Sequence, residues 1–427
     1  MSAPVSAHDI ELVSPPGRGP RILIYSHDTF GLGHLRRSRA IANRLIQSHP
    51  DASILIISGS PVIGSFDFAH GVDYVRVPGV VKLPDGSYTT HSLNMALDQA
   101  VAMRQGIILE SCRTLSPDLV IVDKEPTGFR GELLPALAKL KADGARIVLG
   151  VRDVMDAPEA LVPEWERKGA ISALVEFYDA IWVYGLQDFY EPLAALPLPP
   201  AFRQRISYTG YLRREVPTRR PLTRYPRLTR RPFILVTPGG GGDGHEMIDW
   251  VLSAYEHDRH LPNPALIVFG PFLARESRAR FLERIALLPD VEALTFDSGM
   301  EHLMNAAASV ISMGGYNTFC EILSLDKRAL IIPRRSPRLE QTIRTEQACR
   351  LGLIQYLDGA NLHPGAVRDP MEMAQAIRAL PDQPLPSSAF LPNMLDGLPR
   401  IDTLTAPWLG RPQMTVRRRV ARTGVAE

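Results

Sequence analysis

Short unbroken apolar stretches alternate along this chain with amphipathic ones. Arg21-Ile-Leu-Ile-Tyr-Ser26 runs into a glycine-containing loop, apolar residues then recur at helical spacing over residues 35–47 (Leu35, Ile41, Leu45, with Ala40 and Ala42), and Ser53-Ile-Leu-Ile-Ile-Ser58 follows. That order predicts strand, loop, helix, strand, with strands apolar on both faces because helices cover both sides of a parallel sheet. Strands are predicted again over residues 72–77, 118–122, 146–151 and 180–184. A second series is predicted over 233–236, 265–269, 291–296, 309–312 and 329–332, with helical segments near Glu246, Arg278, Leu303, Glu321, Ala348 and Met373. Two α/β halves, each doubly wound, are the expected fold.

The chain of 427 residues is longer than one core usually serves. The expected division is a polar leader 1–20, a first domain 21–211, a connection 212–232, a second domain 233–383 and a tail 384–427 that packs back on the first domain or stays partly disordered. The connection is marked by Arg213, Arg214, Arg219, Arg220, Arg224, Arg227, Arg230 and Arg231 among four prolines, a density that forbids α-helix and central strand. Its charge suits either a solvated linker or contact with anionic lipid headgroups or a phosphorylated substrate.

Composition narrows the class. A net charge of +2 gives no case for a nucleic-acid partner. Three scattered cysteines, Cys112, Cys320 and Cys349, support neither a disulfide framework nor a zinc site and fit a reducing, cytoplasmic compartment. The leader has no apolar core of a secretory signal, and no apolar run approaches the ~20 residues that cross a bilayer.

The strongest local feature is Thr237-Pro-Gly-Gly-Gly-Gly-Asp-Gly-His245, between a predicted strand and a predicted helix. Glycines let a diphosphate approach the backbone, and a helix N-terminus presents free N–H groups. Gly239, Gly241 and Gly244 satisfy G-x-G-x-x-G, but the next strand ends in Gly270-Pro271 without the carboxylate a dinucleotide ribose requires, and no G-K-[ST] follows. The second cluster runs from Ser312-Met-Gly-Gly-Tyr-Asn-Thr-Phe-Cys-Glu321 to Arg338, Gln341 and Arg344. Asn317-Thr318 is expected to cap a helix whose first turns carry Glu321, a carboxylate suited either to ribose hydroxyls or to the helix dipole. Arg338, Gln341 and Arg344 stand three apart, as on one helical face, fit for phosphate and sugar oxygens or for surface ion pairs.

Gly314-Gly315-x-Asn317-Thr318-x-x-Glu321, then Pro333-Arg334, Glu340-Gln341 and Gly352, resembles in order and spacing the nucleotide-sugar site of glycosyltransferase family 28, over most of the second half. That family includes the enzyme that adds N-acetylglucosamine to lipid-linked peptidoglycan precursors, and its members adopt the GT-B arrangement of two facing Rossmann-like domains. In the first half, Gly31-Leu-Gly-His34 is similar to the family's glycine-rich loop with its histidine. The loop here reads His27-Asp-Thr-Phe-Gly-Leu-Gly-His34, with fewer glycines, which argues against lipid-linked peptidoglycan as the acceptor.

The resemblance implies donor contacts by Gly240, Gly241, Gly242 and Gly244 on the diphosphate, Glu321 on the ribose, and Glu340 and Gln341 on the sugar. Met300, Gly314, Gly315, Asn317, Thr318 and Arg344 complete the donor set, and Gly31, Gly33 and His27 the acceptor side. The leading base candidate is His34, with His27, Asp28 and Asp123 as rivals; Asp123 ends a predicted strand at the cleft, where it suits acceptor binding as well as catalysis. The chain contains no Asp-x-Asp pair, so metal-independent inverting transfer from a UDP-sugar is expected, with no cofactor. The acceptor is expected to be a glycan, lipid or small molecule, with peripheral contact to an anionic membrane. A UDP-N-acetylglucosamine 2-epimerase-like enzyme and a non-catalytic sugar-nucleotide binder remain alternatives on the same scaffold. The segment from Val77 to Tyr88 is read as a loop that binds acceptor or packs Val80, Val81 and Leu83 beneath it.

Overall fold

The computed structural model describes residues 18–27, 33–82, 87–218, 225–240, 242–297, 299–361, 363 and 365–410. Asp28, Gly31, Leu83, Arg219, Arg220, Arg224, Gly241 and the basic triplet Arg417-Arg418-Arg419 lie outside them.

The strands are β1 Arg21–Ser26, β2 Ser53–Ser58, β3 Val72–Arg76, β4 Val80–Lys82, β5 Tyr88–Thr90, β6 Leu119–Asp123, β7 Arg146–Arg152, β8 Ala180–Tyr184 and β9 Ile206–Tyr208 in the first half. The second half has β10 Ile234–Thr237, β11 Ala265–Val268, β12 Val291–Leu294, β13 Ser309–Ser312, β14 Arg328–Ile331 and β15 Gln355–Tyr356. Seven strands form a parallel sheet in the order β3-β2-β1-β6-β7-β8-β9 and six form another in the order β12-β11-β10-β13-β14-β15. Central strands such as β1 and β6 are apolar and almost wholly buried, as helices on both faces require. Each predicted strand is present to within a residue or two. The segment read as a loop from Val77 instead contains the antiparallel pair β4–β5, whose Val80 is buried.

Seven helices position the site: α1 Gly33–Ser48, α2 Pro158–Arg167, α3 His245–His257, α4 Met300–Ala306, α5 Tyr316–Ser324, α6 Glu340–Arg350 and α7 Gly397–Leu409. The tail returns to the first half, where α7 lies along α1. Arg44 donates to Asp402 at 2.6 Å, and the rings of Trp408 and Trp182 stack 6.4 Å apart. One apolar cluster runs from Ile24 and Ile56 in the first sheet to Leu235 and Val310 in the second. Phe189 and Tyr211 join its two parts by packing against Phe319. The two halves therefore share buried surface rather than meeting only through a tether.

Candidate active site

In each sheet the chain order reverses once, between β1 and β6 in the first half and between β10 and β13 in the second. Loops leaving the carboxyl ends of such strands diverge and open a crevice, the usual place for a ligand in an open α/β sheet. The two crevices face each other across a single cavity of about 1060 Å³. His27, Gly33, His34 and Glu125 line it from one side, and Gly239, Gly240, Gly242, Met300, Gly315, Asn317, Thr318, Glu321, Glu340 and Gln341 from the other.

On the first-half wall, His34 sits on the opening turn of α1, and its Nδ1 lies 2.6 Å from Oδ2 of Asp123, the last residue of β6. Asp123 is buried behind the ring and is clamped by Arg37, whose Nη2 donates to Oδ1 at 3.1 Å and to Oδ2 at 2.8 Å. Burial pushes the Asp123 carboxyl up, but Arg37 and His34 outweigh it and hold it well below the usual carboxylate range. Burial, opposed by Glu125, holds His27 well below the usual histidine range, so His27 stands beside His34 as a neutral ring, centroids 5.8 Å apart. Lys124, directly after Asp123, takes the left-handed φ of 76°, a strained setting for a residue with a Cβ that is common where loops carry function.

On the opposite wall, β10 ends at Thr237 and α3 begins after Gly244, so the glycine turn lies at a helix N-terminus. Gly239 and Gly244 hold φ of 107° and 129°, and a Cβ on Gly244 would lie 2.2 Å from Cβ of Pro238. Gly314 makes the corresponding turn after β13 with φ of 72°. Gly244 and Gly314 thus shape the two turns from behind, while Gly239, Gly240, Gly242 and Gly315 face the cavity. The expected cap by Asn317-Thr318 is absent: Gly315 is the N-cap and no side chain caps the helix. Asn317 reaches across the cleft instead, its Nδ2 donating to the carbonyl of Gly33 at 3.0 Å, and its Oδ1 accepts from Arg214 at 2.8 Å.

The second half of this chain is matched by the model of the glycosyltransferase family 28 C-terminal domain over residues 239–351, from the glycine turn through α6. The protein is a glycosyltransferase with a family 28 C-terminal domain. Solved structures share its whole two-domain frame. A UDP-glucosyltransferase from Polygonum tinctorium is similar at a TM-score of 0.57 and 12% identity, over 93% of this chain and 95% of that one. MurG of Acinetobacter baumannii is similar at 0.54 and 12%, over 90% and 98%. CalG4, the calicheamicin glycosyltransferase, is similar at 0.53 and 16%, over 92% and 99%. At such identities these likenesses establish the GT-B fold alone. No curated protein matches the sequence.

In this transferase Glu321 lies on α5 with its side chain 2% exposed, hydrogen-bonded to Arg36 of α1. Arg36 also donates to Glu301 at 2.8 Å. Burial raises the Glu321 carboxyl above its ordinary range, with Arg36 opposing. Gln341 faces the cavity and its Oε1 accepts from the backbone N–H of Arg334 at 3.2 Å, while Glu340 pairs with Arg152 of β7.

Arg338 and Arg344 both bond carboxylates of the first domain. Arg338 precedes α6 rather than sharing its face, and pairs across the cleft with Asp156 at 3.2 Å and Glu164 at 2.9 Å. Arg344, 1% exposed, is bonded to both oxygens of Asp153 at 2.8 and 2.6 Å and stands behind the cavity wall, so it holds the domains together rather than facing a donor. Arg214, read as part of a solvated connection, is likewise buried against Asn317. Arg36 and Arg37 do not stand out in the sequence pattern. Their signal was two adjacent cations near the start of a helix with no acidic residue in its first turn, against the sign of the dipole, which points to partners outside the helix.

Among the described residues no helix is long and apolar enough to cross a membrane.

Proposed function

We propose that this glycosyltransferase moves a hexose or N-acetylhexosamine from a UDP-sugar to an acceptor hydroxyl, with inversion and without a metal. One observation carries the reading: the His34–Asp123 pair of one domain and the glycine turn with Glu321 of the other open on the same cavity. Asp123, an ionised acceptor at 2.6 Å, favours the tautomer in which Nδ1 of His34 holds the proton, which leaves Nε2 on the far side of the ring as a base. Nε2 takes the proton of the acceptor hydroxyl as its oxygen attacks the anomeric carbon from the face opposite the diphosphate. The bond from that carbon to the diphosphate oxygen breaks, and the leaving charge meets backbone N–H groups of the glycine turn and the start of α3. Glu321 accepts from the ribose hydroxyls, and Gln341 and Glu340 meet the sugar. Arg334, paired with Asp243 beside the turn, supplies further positive charge at the cavity wall. Uridine as the nucleoside and the absence of a metal rest on the family resemblance and on the lack of an Asp-x-Asp pair. The acceptor, a glycan, lipid or small molecule, enters from the first-domain side, and among the described residues of the connection the exposed Arg213, Arg227, Arg230 and Arg231 are available to an anionic membrane.

Incubation with a panel of nucleotide sugars and no added acceptor tests this. Slow release of UDP, with the free sugar first appearing as the inverted anomer, supports the proposal. Epimerised sugar nucleotide would make the protein an epimerase, and binding with no turnover would make it a sensor.

A further inference from the structure

Nδ1 of His34 has two neighbours that make incompatible demands. Oδ2 of the ionised Asp123, at 2.6 Å, can only accept, and Nη2 of Arg37, at 2.9 Å, can only donate. One nitrogen cannot serve both. If it carries a proton it donates to Asp123, and Nε2 keeps the lone pair a base needs. If it is bare it accepts from Arg37 or from a protonated Asp123, Nε2 carries the proton, and the ring cannot take one from an acceptor.

We propose that Arg37 is the positioning residue that decides this contest, by turning its donors onto Asp123 and aiming that carboxylate at Nδ1 of His34. Arg37 engages both Asp123 oxygens through Nη2 and also donates from Nε to Oδ1 at 3.3 Å, so its Nη2 and Nε hydrogens are directed at the carboxylate. Asp123 is 3% exposed, and burial without a cation favours the protonated acid, which would donate to Nδ1 and present the wrong tautomer. Arg37 is itself 2% exposed, and its guanidinium lies over the ring of Tyr316, 5.4 Å from the centroid. Tyr316 opens α5 of the donor domain, so the base of one domain is braced by the other. The remaining charged and titratable groups facing this assembly are His27 after β1, Lys124 and Glu125 after β6, Arg152 on β7, Tyr184 on β8 and Arg36 on α1. Among the described residues none of these bonds the Asp123 carboxylate, which is held by Arg37 and His34.

The inference rests on the assignment of His34 as base, and the experiment separates the two. In protein labelled with ¹⁵N-histidine, the signals of His34 are identified by their loss in His34→Ala. Wild type should show Nδ1 protonated and Nε2 bare near neutral pH. Arg37→Met should invert or average that pattern and move the acid limb of UDP release from the preferred nucleotide sugar to higher pH by about one unit, since removing a cation makes it easier to protonate the Asp123–His34 pair, whichever member takes the proton. Arg37→Lys should restore both. An unchanged tautomer in Arg37→Met, with a uniform loss at all pH values, would reduce Arg37 to a packing residue and overturn the inference while leaving the base assignment intact. Full turnover in His34→Ala would overturn the base assignment and this inference together. Should Arg37→Met not fold, Arg37→Gln carries the same expectations.

Discussion

The guanidinium of Arg36, on the first domain, is hydrogen-bonded to the carboxylate of Glu321, on the second, at the place where a donor's ribose is expected. Glu321 is therefore already neutralised before a donor arrives, and ribose hydroxyls must share or take over its oxygens. Glu321→Gln keeps the volume and removes the charge. It should weaken binding of UDP by ~10- to 100-fold, the worth of about 1.5–3 kcal/mol for hydrogen bonds to a charged acceptor. Titration calorimetry decides, and an unchanged affinity removes Glu321 from the donor site.

His34→Ala should lower turnover by ~10²- to 10⁴-fold, the range of general-base catalysis, and leave the dissociation constant for UDP within about twofold. Asp123→Asn should do nearly as much, because an amide cannot hold the ring in the required tautomer. Parallel loss of turnover and of UDP affinity would show that these side chains shape the donor site instead.

Gly244→Ala tests the glycine turn. The new Cβ meets Pro238 at 2.2 Å in a backbone setting of φ 129°, so the turn must shift. Donor binding should fall at least ~10-fold with the rest of the fold retained. Gly239 also has positive φ, but no heavy atom lies near its added Cβ, so Gly239→Ala should cost less.

Arg344→Met should destabilise the protein by ~3–5 kcal/mol in urea denaturation, because it strands the wholly buried Asp153 carboxylate between the domains. The double change Arg344→Met with Asp153→Leu should recover most of that loss. A single variant as stable as wild type would mean that water reaches Asp153.

Acid should loosen the same interface. Burial pushes Glu340 up, but Arg152, Arg344 and Arg334 outweigh it and hold it down to about 2, and Arg338 and Lys168 do the same for Glu164. Both folded values lie below the ordinary glutamate value of 4.5, so their stabilisation is complete above that pH and is lost as pH falls from there toward 2. Glu321 has the opposite sign, raised by burial, and gains slightly on protonation. Two depressed groups against one raised group give net destabilisation. Urea midpoints measured from pH 6 to pH 3 should fall, and a flat profile contradicts the account.

The two doubly wound halves, the turn after β10 and the helix that carries Glu321 were legible in the chain, because they depend on local periodicity and on glycines whose geometry is fixed by their neighbours. β1, β2, β8 and β13 have the same bounds in the structure as in the apolar pattern. The short edge strands β9 and β15 and the β4–β5 hairpin escaped, since two or three residues carry no measurable period. The pairing of charges across the cleft became visible once the chain was folded. His34 and Asp123 are 89 residues apart and Arg344 and Asp153 are 191 apart, yet both pairs bond at 2.6 Å. Nothing in local sequence separates an arginine that faces a ligand, as Arg344 was expected to, from one that closes on a distant carboxylate. A charge buried by folding must find its partner wherever the chain brings one, and that partner is set by the way the two sheets face each other.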